Sequence, residues 1–320
     1  MSPKENYLRA IYHNCPDYVP FGNECVIRLL PPIVERPDDT GLDAWNVSWT
    51  LEEKCTTGTY PTANKHLIEN LNDWKDLIKI PDIEKLDWSQ VKRKSENIDR
   101  DKNLVEGFCE MGTFERCYLL MGMENALIAF YEEPVKMAEL CSVIADYKVR
   151  LLRAFNETCK LDIVWYGDDW GTQTNLFIPP EIWRKTIKPA TKKIYDAIKS
   201  FGAIVNQHSC GKIESIFGDM VEIGAQIWNP CQPCNNLAEL KKIFGARITF
   251  FGGIDSQFVL DRPYVTPEEV RVEVRKCIDA MAQGGGYIAS PSHGVPYNPI
   301  LLKAMTSEIK TYGRTVYKRS

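Results

Sequence analysis

From residue 163 onward the chain repeats one pattern, and no other feature limits its fold as strongly. A short apolar run gives way to a polar or Gly/Pro loop, then to a long amphipathic segment. Ile163-Val164-Trp165-Tyr166, Ala203-Ile204-Val205, Ala225-Gln226-Ile227-Trp228, Ile248-Thr249-Phe250-Phe251 and Tyr287-Ile288-Ala289 read as strands. Helices are expected from Pro179-Pro180 to about Phe201, over 213–221, and from Asn236 to Phe244, with Asn236 and Glu239 as a capping box. Another starts at Thr266, Pro267 and Glu269, carries Val270, Val274, Cys277 and Met281 on one face, and ends at Gly284-Gly285-Gly286. Strands alternating with helices imply a parallel sheet covered by helices.

The spacing suits an α/β fold of the (β/α)8 TIM-barrel type, whose usual length is about 250 residues. A doubly wound sheet gives a similar local pattern, but no Gly-x-Gly-x-x-Gly follows a strand here. The expectation is one (β/α)8 barrel domain over residues 1–320, with an extension or insertions in about 1–100. That first region sets Trp45, Trp49, Trp74 and Trp88 among polar turns and is expected to hold strands one and two.

In such a barrel the chemistry sits on loops at the C-terminal ends of strands. Asp168 and Asp169, His208 and Cys210, Asn229, Asp255 and His293 all fall at such ends, so they would converge on one mouth. Stability alone does not require that convergence. A His-x-Cys pair with a third donor from a later strand end makes a three-ligand zinc site with one position open, the pattern of catalytic zinc. His208, Cys210 and His293 are the candidate ligands. His-x-Cys also arises by chance, and the pair could simply end a strand. Asp168, Asp169, Asn229 and Asp255 are the candidate catalytic or orienting residues. Adjacent aspartates on a strand point to opposite sides, so one would enter the mouth while the other holds a loop. Asp255 after Gly252-Gly253 could equally be a helix cap. Cys231-x-x-Cys234 has metal-like spacing but no second pair nearby.

Composition narrows the partners. The net charge is -4 with 26% charged and 44% hydrophobic residues, and no basic patch stands out, which argues against nucleic acid and anionic membrane. Residues 1–20 hold no long apolar run, and no segment approaches the roughly 18 apolar residues of a membrane span, so a cytoplasmic protein is expected. Eleven irregularly spaced cysteines in so long a chain read mostly as reduced and buried.

Gly167-Asp168-Asp169-Trp170-Gly171, His208-Ser209-Cys210-Gly211, Glu222-Ile223-Gly224 with Asn229-Pro230, Phe251-Gly252-Gly253-Ile254-Asp255, and Gly285-Gly286-Tyr287-Ile288 through His293 together resemble the uroporphyrinogen decarboxylase superfamily over roughly residues 105–310. The resemblance implies a single (β/α)8 barrel. It also offers two chemistries. The decarboxylases carry an N-terminal Arg-Gln-Ala-Gly-Arg motif for tetrapyrrole carboxylates, which this chain lacks; around Arg28 it reads Val26-Ile27-Arg28-Leu29-Leu30-Pro31-Pro32. The other branch is zinc-dependent methyltransferases that use a His-x-Cys pair and a later cysteine. His208 and Cys210 match the pair, and His293 stands where that cysteine falls. The branch implies zinc (Zn2+), a corrinoid supplied by a partner corrinoid protein, and a small methylated substrate or thiol. A metal-free decarboxylase-like lyase and a non-catalytic tetrapyrrole or corrinoid binder are the alternatives.

Overall fold

The computed structural model describes residues 1–53, 58–294 and 297–317. Among them are ten strands: β1 (Val26–Leu29), β2 (Gly41–Leu42), β3 (Ser48–Thr50), β4 (Tyr60–Pro61), β5 (Leu104–Cys109), β6 (Ile163–Gly167), β7 (Ile204–His208), β8 (Ile227–Cys231), β9 (Thr249–Ile254) and β10 (Tyr287–Pro291). Seven form one curled parallel sheet in the order β1-β5-β6-β7-β8-β9-β10, and β2-β3-β4 form a small antiparallel sheet. Helices Pro134–Cys159, Pro180–Ser200, Glu214–Ile223, Leu237–Phe244 and Pro267–Met281 connect successive parallel strands.

The five strands expected after residue 163 are all present, with ends displaced by a few residues. Thr266 and Glu269 form a full capping box, whereas Asn236 only accepts from the Glu239 amide. The sheet has seven strands where eight were expected. Residues 20–22 meet β10 through a single parallel bridge, Phe21 to Ala289, with the Gly22 amide donating to the Ala289 carbonyl at 2.9 Å.

The first hundred residues hold one strand of the parallel sheet, not two; its second strand, β5, begins only at Leu104. Much of the rest of that region, including the small sheet, is an insertion whose buried Trp45, Trp49 and Trp74 join the main apolar core. A cluster of charges pins it to the helices. Arg116 donates to both Glu35 and Asp43, while Lys148 and Tyr147 each donate to Glu35 at 2.9 Å.

Alternate residues of each strand face the inside of the curl, and they fill it in layers. At the N-terminal end Val26, Leu104, Ile163, Ile204, Ile227 and Ile288 pack together, plugged by Tyr7 and Ile11 of helix Pro3–Ile11. Two residues further along each strand the layer turns polar: Arg28, Glu106, Trp165, Asn206 and Asn229. The next step on β7 reaches His208 and then Cys210 in the following loop. An apolar floor thus lies beneath a polar layer, with the open end above it. No helix among the described residues is long and apolar enough to cross a membrane.

Candidate functional site

The inward parity of β6 and β7 decides which residues meet. On β7, Ile204, Asn206, His208 and Cys210 share one side; on β6, Ile163, Trp165 and Asp169 share one side. Ligand atoms of Asp169, His208 and Cys210 therefore converge, all within 4.8 Å of one another. The His208 Nε2 lies 3.5 Å from the Cys210 Sγ and 3.5 Å from the Asp169 Oδ1, which also accepts from the Cys210 amide at 2.7 Å. The other ring nitrogen, Nδ1, is 2.6 Å from Asn229 Oδ1, and the ring lies against Trp165 at 4.5 Å between centroids.

Asp168 has the opposite parity and takes the other of the two expected roles. It turns away from the mouth and is fully buried at the start of helix Thr113–Met121. It accepts from the Thr113 hydroxyl at 3.0 Å, the Phe114 amide at 3.2 Å and the Glu115 amide at 3.0 Å. The residue that opens this helix is Gly112, which has no capping side chain of its own. A Cβ at Gly112 would sit 2.3 Å from the Asp168 Cβ, so the glycine makes room for a cap supplied from a neighbouring strand. The Asp168 carboxyl is raised to about 6, chiefly by burial, against which its hydrogen bonds pull down.

The loops that carry the donor trio are held backbone to backbone. A Cβ at Gly211, whose φ is +81°, would lie 2.1 Å from the Gly171 carbonyl carbon. Gln232 accepts from the Gly211 amide, and Asn235 donates to the Gly211 carbonyl at 2.9 Å.

Asp255 and His293 stand further out. Asp255 accepts from the Phe258 amide at 2.9 Å and so caps the turn Ser256–Leu260, its expected alternative role. His293 is exposed and lies outside the compact trio, its amide bonded to the Ser256 hydroxyl at 2.9 Å. Both line a cavity of about 340 Å³ together with Gln173, Gln232, Cys234 and Ser292. The trio stands next to this cavity, because Gln232 of the cavity wall accepts from the Gly211 amide beside Cys210. A larger cavity of about 1130 Å³, among Met1, His13, Asp17, Gln283 and Arg314, lies toward the opposite end of the sheet, and among the described residues its donors do not converge as the trio does. Cys231 is buried with its thiol toward the Trp228 carbonyl, and neither it nor Cys234 joins the trio. Seven of the described cysteines are buried, as the sequence suggests; Cys55 lies outside the described residues.

The electrostatics are lopsided. Burial lowers the His208 imidazole below its ordinary value, which keeps it neutral. Burial and then the Asp169 charge raise the Cys210 thiol well above its ordinary value. Glu115, on the first turn of helix Thr113–Met121, was not singled out from sequence. Burial, followed by the charges of Asp169 and Asp168, holds its carboxyl well above the usual range, and the Tyr118 hydroxyl donates to it at 3.2 Å. A neutral imidazole, a thiol and a carboxylate thus face one point, and among the described residues no lysine or arginine forms an ion pair with that carboxylate. That donor set fits a divalent cation, which would stabilise both the thiolate and the carboxylate. The polar layer below His208 could have been found by following strand parity inward from His208, once the sheet's curl was known; Glu115, on a helix, carries no such signal.

Comparison with known proteins places this architecture. The family model for uroporphyrinogen decarboxylase (URO-D) matches residues 41–312. A curated uroporphyrinogen decarboxylase from Streptomyces avermitilis is 25% identical over 177 residues, covering 54% of this chain and 46% of that protein. The chain thus spans about half the length of the curated relative it matches. Among solved structures, a methyltransferase from Methanosarcina mazei superposes with a TM-score of 0.75 at 15% identity, covering 98% of this chain and 99% of that one; at that identity the likeness concerns the fold. With the family match running across both the insertion and the parallel sheet, the chain belongs to the uroporphyrinogen decarboxylase family.

Proposed function

We propose that this protein is a zinc-dependent methyltransferase on a (β/α)8-type barrel. It moves a methyl group between a small methylated substrate or thiol acceptor and a corrinoid held by a partner corrinoid protein. The observation that carries the reading is the convergence of Asp169, His208 and Cys210 within 4.8 Å at the C-terminal ends of β6 and β7. His208 and Cys210 are the principal ligands. Asp169 completes the compact set, and His293 is the further ligand, reaching in from the cavity rim. Zinc held there would supply a Lewis acid able to keep a thiol ionised near neutral pH.

The protein's own groups prepare that site. Asn229 holds the His208 ring by its Nδ1 and leaves Nε2 facing the donors. Trp165 covers the ring and limits the approach of water from one side. Asp169 fixes the Cys210 backbone while presenting a carboxylate oxygen toward His208. The 340 Å³ cavity is of a size for a small substrate, with Asp255, Gln173 and Gln232 to orient it.

The test is zinc content of the purified protein by elemental mass spectrometry, beside Cys210→Ala, followed by methylation of thiols by methylcobalamin. About one zinc per chain, lost in the variant, with thiol methylation, supports the proposal. Absence of zinc after chelator-free purification sinks it.

A second reading draws on Glu115. A carboxyl held above its ordinary range beside Asp169 suits proton delivery in a decarboxylase-like lyase without metal. Turnover of a tetracarboxylate porphyrinogen by zinc-free protein would favour that reading. Tight corrinoid binding with neither zinc nor turnover would point to a non-catalytic binder.

A further inference from the structure

We infer that Glu106 and Trp165, from opposite ends, set the tautomer of His208 through a relay of two asparagines that crosses the inside of the sheet. Its bearing on metal binding rests on the zinc reading above; the relay itself does not.

The links are continuous. Arg28 Nε donates to Glu106 Oε1 at 2.7 Å, and the guanidinium lies over the Phe108 and Trp165 rings. Asn206 Nδ2 donates to Glu106 Oε2 at 3.1 Å. Asn229 Nδ2 donates to Asn206 Oδ1 at 2.6 Å. Asn229 Oδ1 then faces His208 Nδ1 at 2.6 Å. Glu106 and Asn206 are each 1% exposed and Asn229 is 7% exposed, so water offers these groups little alternative.

Polarity passes along this chain without ambiguity. A carboxylate bonded to a guanidinium only accepts, so Asn206 must turn its NH2 toward Glu106. That leaves the Asn206 oxygen for Asn229, which must in turn offer its own NH2. The Asn229 oxygen is then the atom left for His208, and an amide oxygen only accepts. His208 must therefore carry its proton on Nδ1, leaving the Nε2 lone pair free. The far end agrees independently. Trp165 Nε1, which can only donate, points at the same Asn229 oxygen from 3.2 Å. Two groups of fixed polarity, one at each end, demand one orientation of both amides.

The relay has work to do because Asp169 opposes it. Its carboxylate lies 3.5 Å from His208 Nε2 and would draw the ring proton to that nitrogen. A proton on Nε2 removes the lone pair that faces Cys210. The 2.6 Å contact to Asn229 is far shorter than the 3.5 Å one, so the Nδ1 proton prevails while the relay is intact. A polar layer present only to fill space would not need this directionality.

The test reads the tautomer directly in metal-free protein. Ring 15N shifts of His208, assigned by their loss in His208→Gln, are recorded at a pH where the ring is neutral. Wild type is expected to show a protonated Nδ1 and an unprotonated Nε2. Because Trp165 holds Asn229 from the far end, the test removes both anchors: in Glu106→Gln with Trp165→Phe, Arg28 draws the new amide oxygen, the NH2 faces Asn206, both asparagines invert, and the signals move toward protonated Nε2. Adding Arg28→Met to that pair removes the pull and should restore protonated Nδ1, with the Gln207 carbonyl still accepting from Asn229, which a merely structural lesion would not do. If the double variant does not fold, Asn206→Leu with Trp165→Phe cuts the relay with the Arg28–Glu106 pair intact and should also move the signals. Protonated Nε2 in wild type, or an unchanged spectrum in a folded double variant, overturns the inference. Zinc affinity should fall about 10- to 100-fold in Glu106→Gln with Trp165→Phe. A wild type that binds no zinc yet shows the expected tautomer would defeat the zinc reading alone, and zinc binding with the wrong tautomer would defeat the relay alone.

Discussion

Two charge clusters, one buried and one half-buried, lie on either side of helix Thr113–Met121, and they are built on opposite plans. The first joins Glu35 and Asp43 of the insertion to Arg116 and Lys148, two acids against two bases, with Tyr147 adding a hydroxyl. Burial pushes Glu35 up, but Lys148 and Arg116 outweigh it and hold its carboxyl below the ordinary value. The second sets Glu115 and Asp169 beside Cys210 and His208, with Asp168 turned away at the helix start behind Glu115. Among the described residues no lysine or arginine bonds to any of those three carboxylates. Burial, Asp169 and Asp168 drive Glu115 the opposite way, well above its ordinary value. Sequence neighbours Glu115 and Arg116 thus serve different ends: one stays uncompensated beside the mouth, the other closes a finished ion network. A balanced cluster holds parts of a fold together; an unbalanced one is kept for a charge that arrives from outside.

The largest expected effect breaks the balanced side. Arg116→Met leaves Glu35 and Asp43 buried with one base between them. Removing one partner of a buried network costs about 3–5 kcal/mol, so the variant should lose much of its stability in urea unfolding. Adding Glu35→Gln to that variant should recover part of the loss by removing one stranded carboxylate. A loss under about 1 kcal/mol in Arg116→Met would mean that the insertion is held by its tryptophans alone and that the network is incidental.

Lys241 shows what burial does to a charge that no carboxylate among the described residues pairs, and it sharpens the same contrast. Its ammonium donates to the Gly285 carbonyl at 2.7 Å and the Gly286 carbonyl at 3.2 Å, and burial lowers its pKa from 10.5 to about 8. Between those values the unfolded chain binds the proton more tightly than the folded one. Stability attributable to Lys241 should therefore rise as pH climbs from about 8 to about 10.5. The shift sets an upper limit of about 3 kcal/mol, reduced by the part of the side chain that water reaches. Because tyrosines and cysteines titrate nearby, the quantity to measure is the difference from Lys241→Met at each pH. A flat difference across the window would show that the ammonium is solvated and the carbonyl contacts weak.

How much of this was legible beforehand follows from what each element depends on. The strands and helices after residue 163 were readable because each strand is one apolar run and each helix one amphipathic run, so local pattern and final structure agree. The first hundred residues were not. β2 and β4 are two residues long, and the buried tryptophans pack around an insertion that needs Arg116 and Lys148 from much later in the chain. His208 and Cys210 stood out because their motif is local. The split between Asp168 and Asp169 was half legible: alternation put them on opposite sides, but which side was inward depended on the curl. Glu106 and Asn206 were hidden because a Glu and an Asn inside strands look like solvent-facing positions until a closed interior gives them each other.

The smallest expected effect on stability falls on the unbalanced cluster, and there it separates the two plans. Asp169→Asn keeps an oxygen for the Cys210 amide and removes a negative charge from beside Glu115, so metal-free protein should unfold within about 1 kcal/mol of wild type, or slightly later. Cys210→Ala should behave similarly because the thiol is held protonated and bonds weakly. Both variants should nonetheless lose zinc, and His293→Ala should weaken its retention. If Asp169→Asn instead cost about 3 kcal/mol in the absence of metal, the cluster would be a structural network like that of Arg116. If His293→Ala kept the full zinc complement, the cavity-rim histidine would be a substrate contact and the ligand set would end at Asp169, His208 and Cys210. Small stability change with complete loss of metal is the combination that only a site prepared for an external cation produces, because groups that repel one another in the empty state have nothing to lose when one is removed.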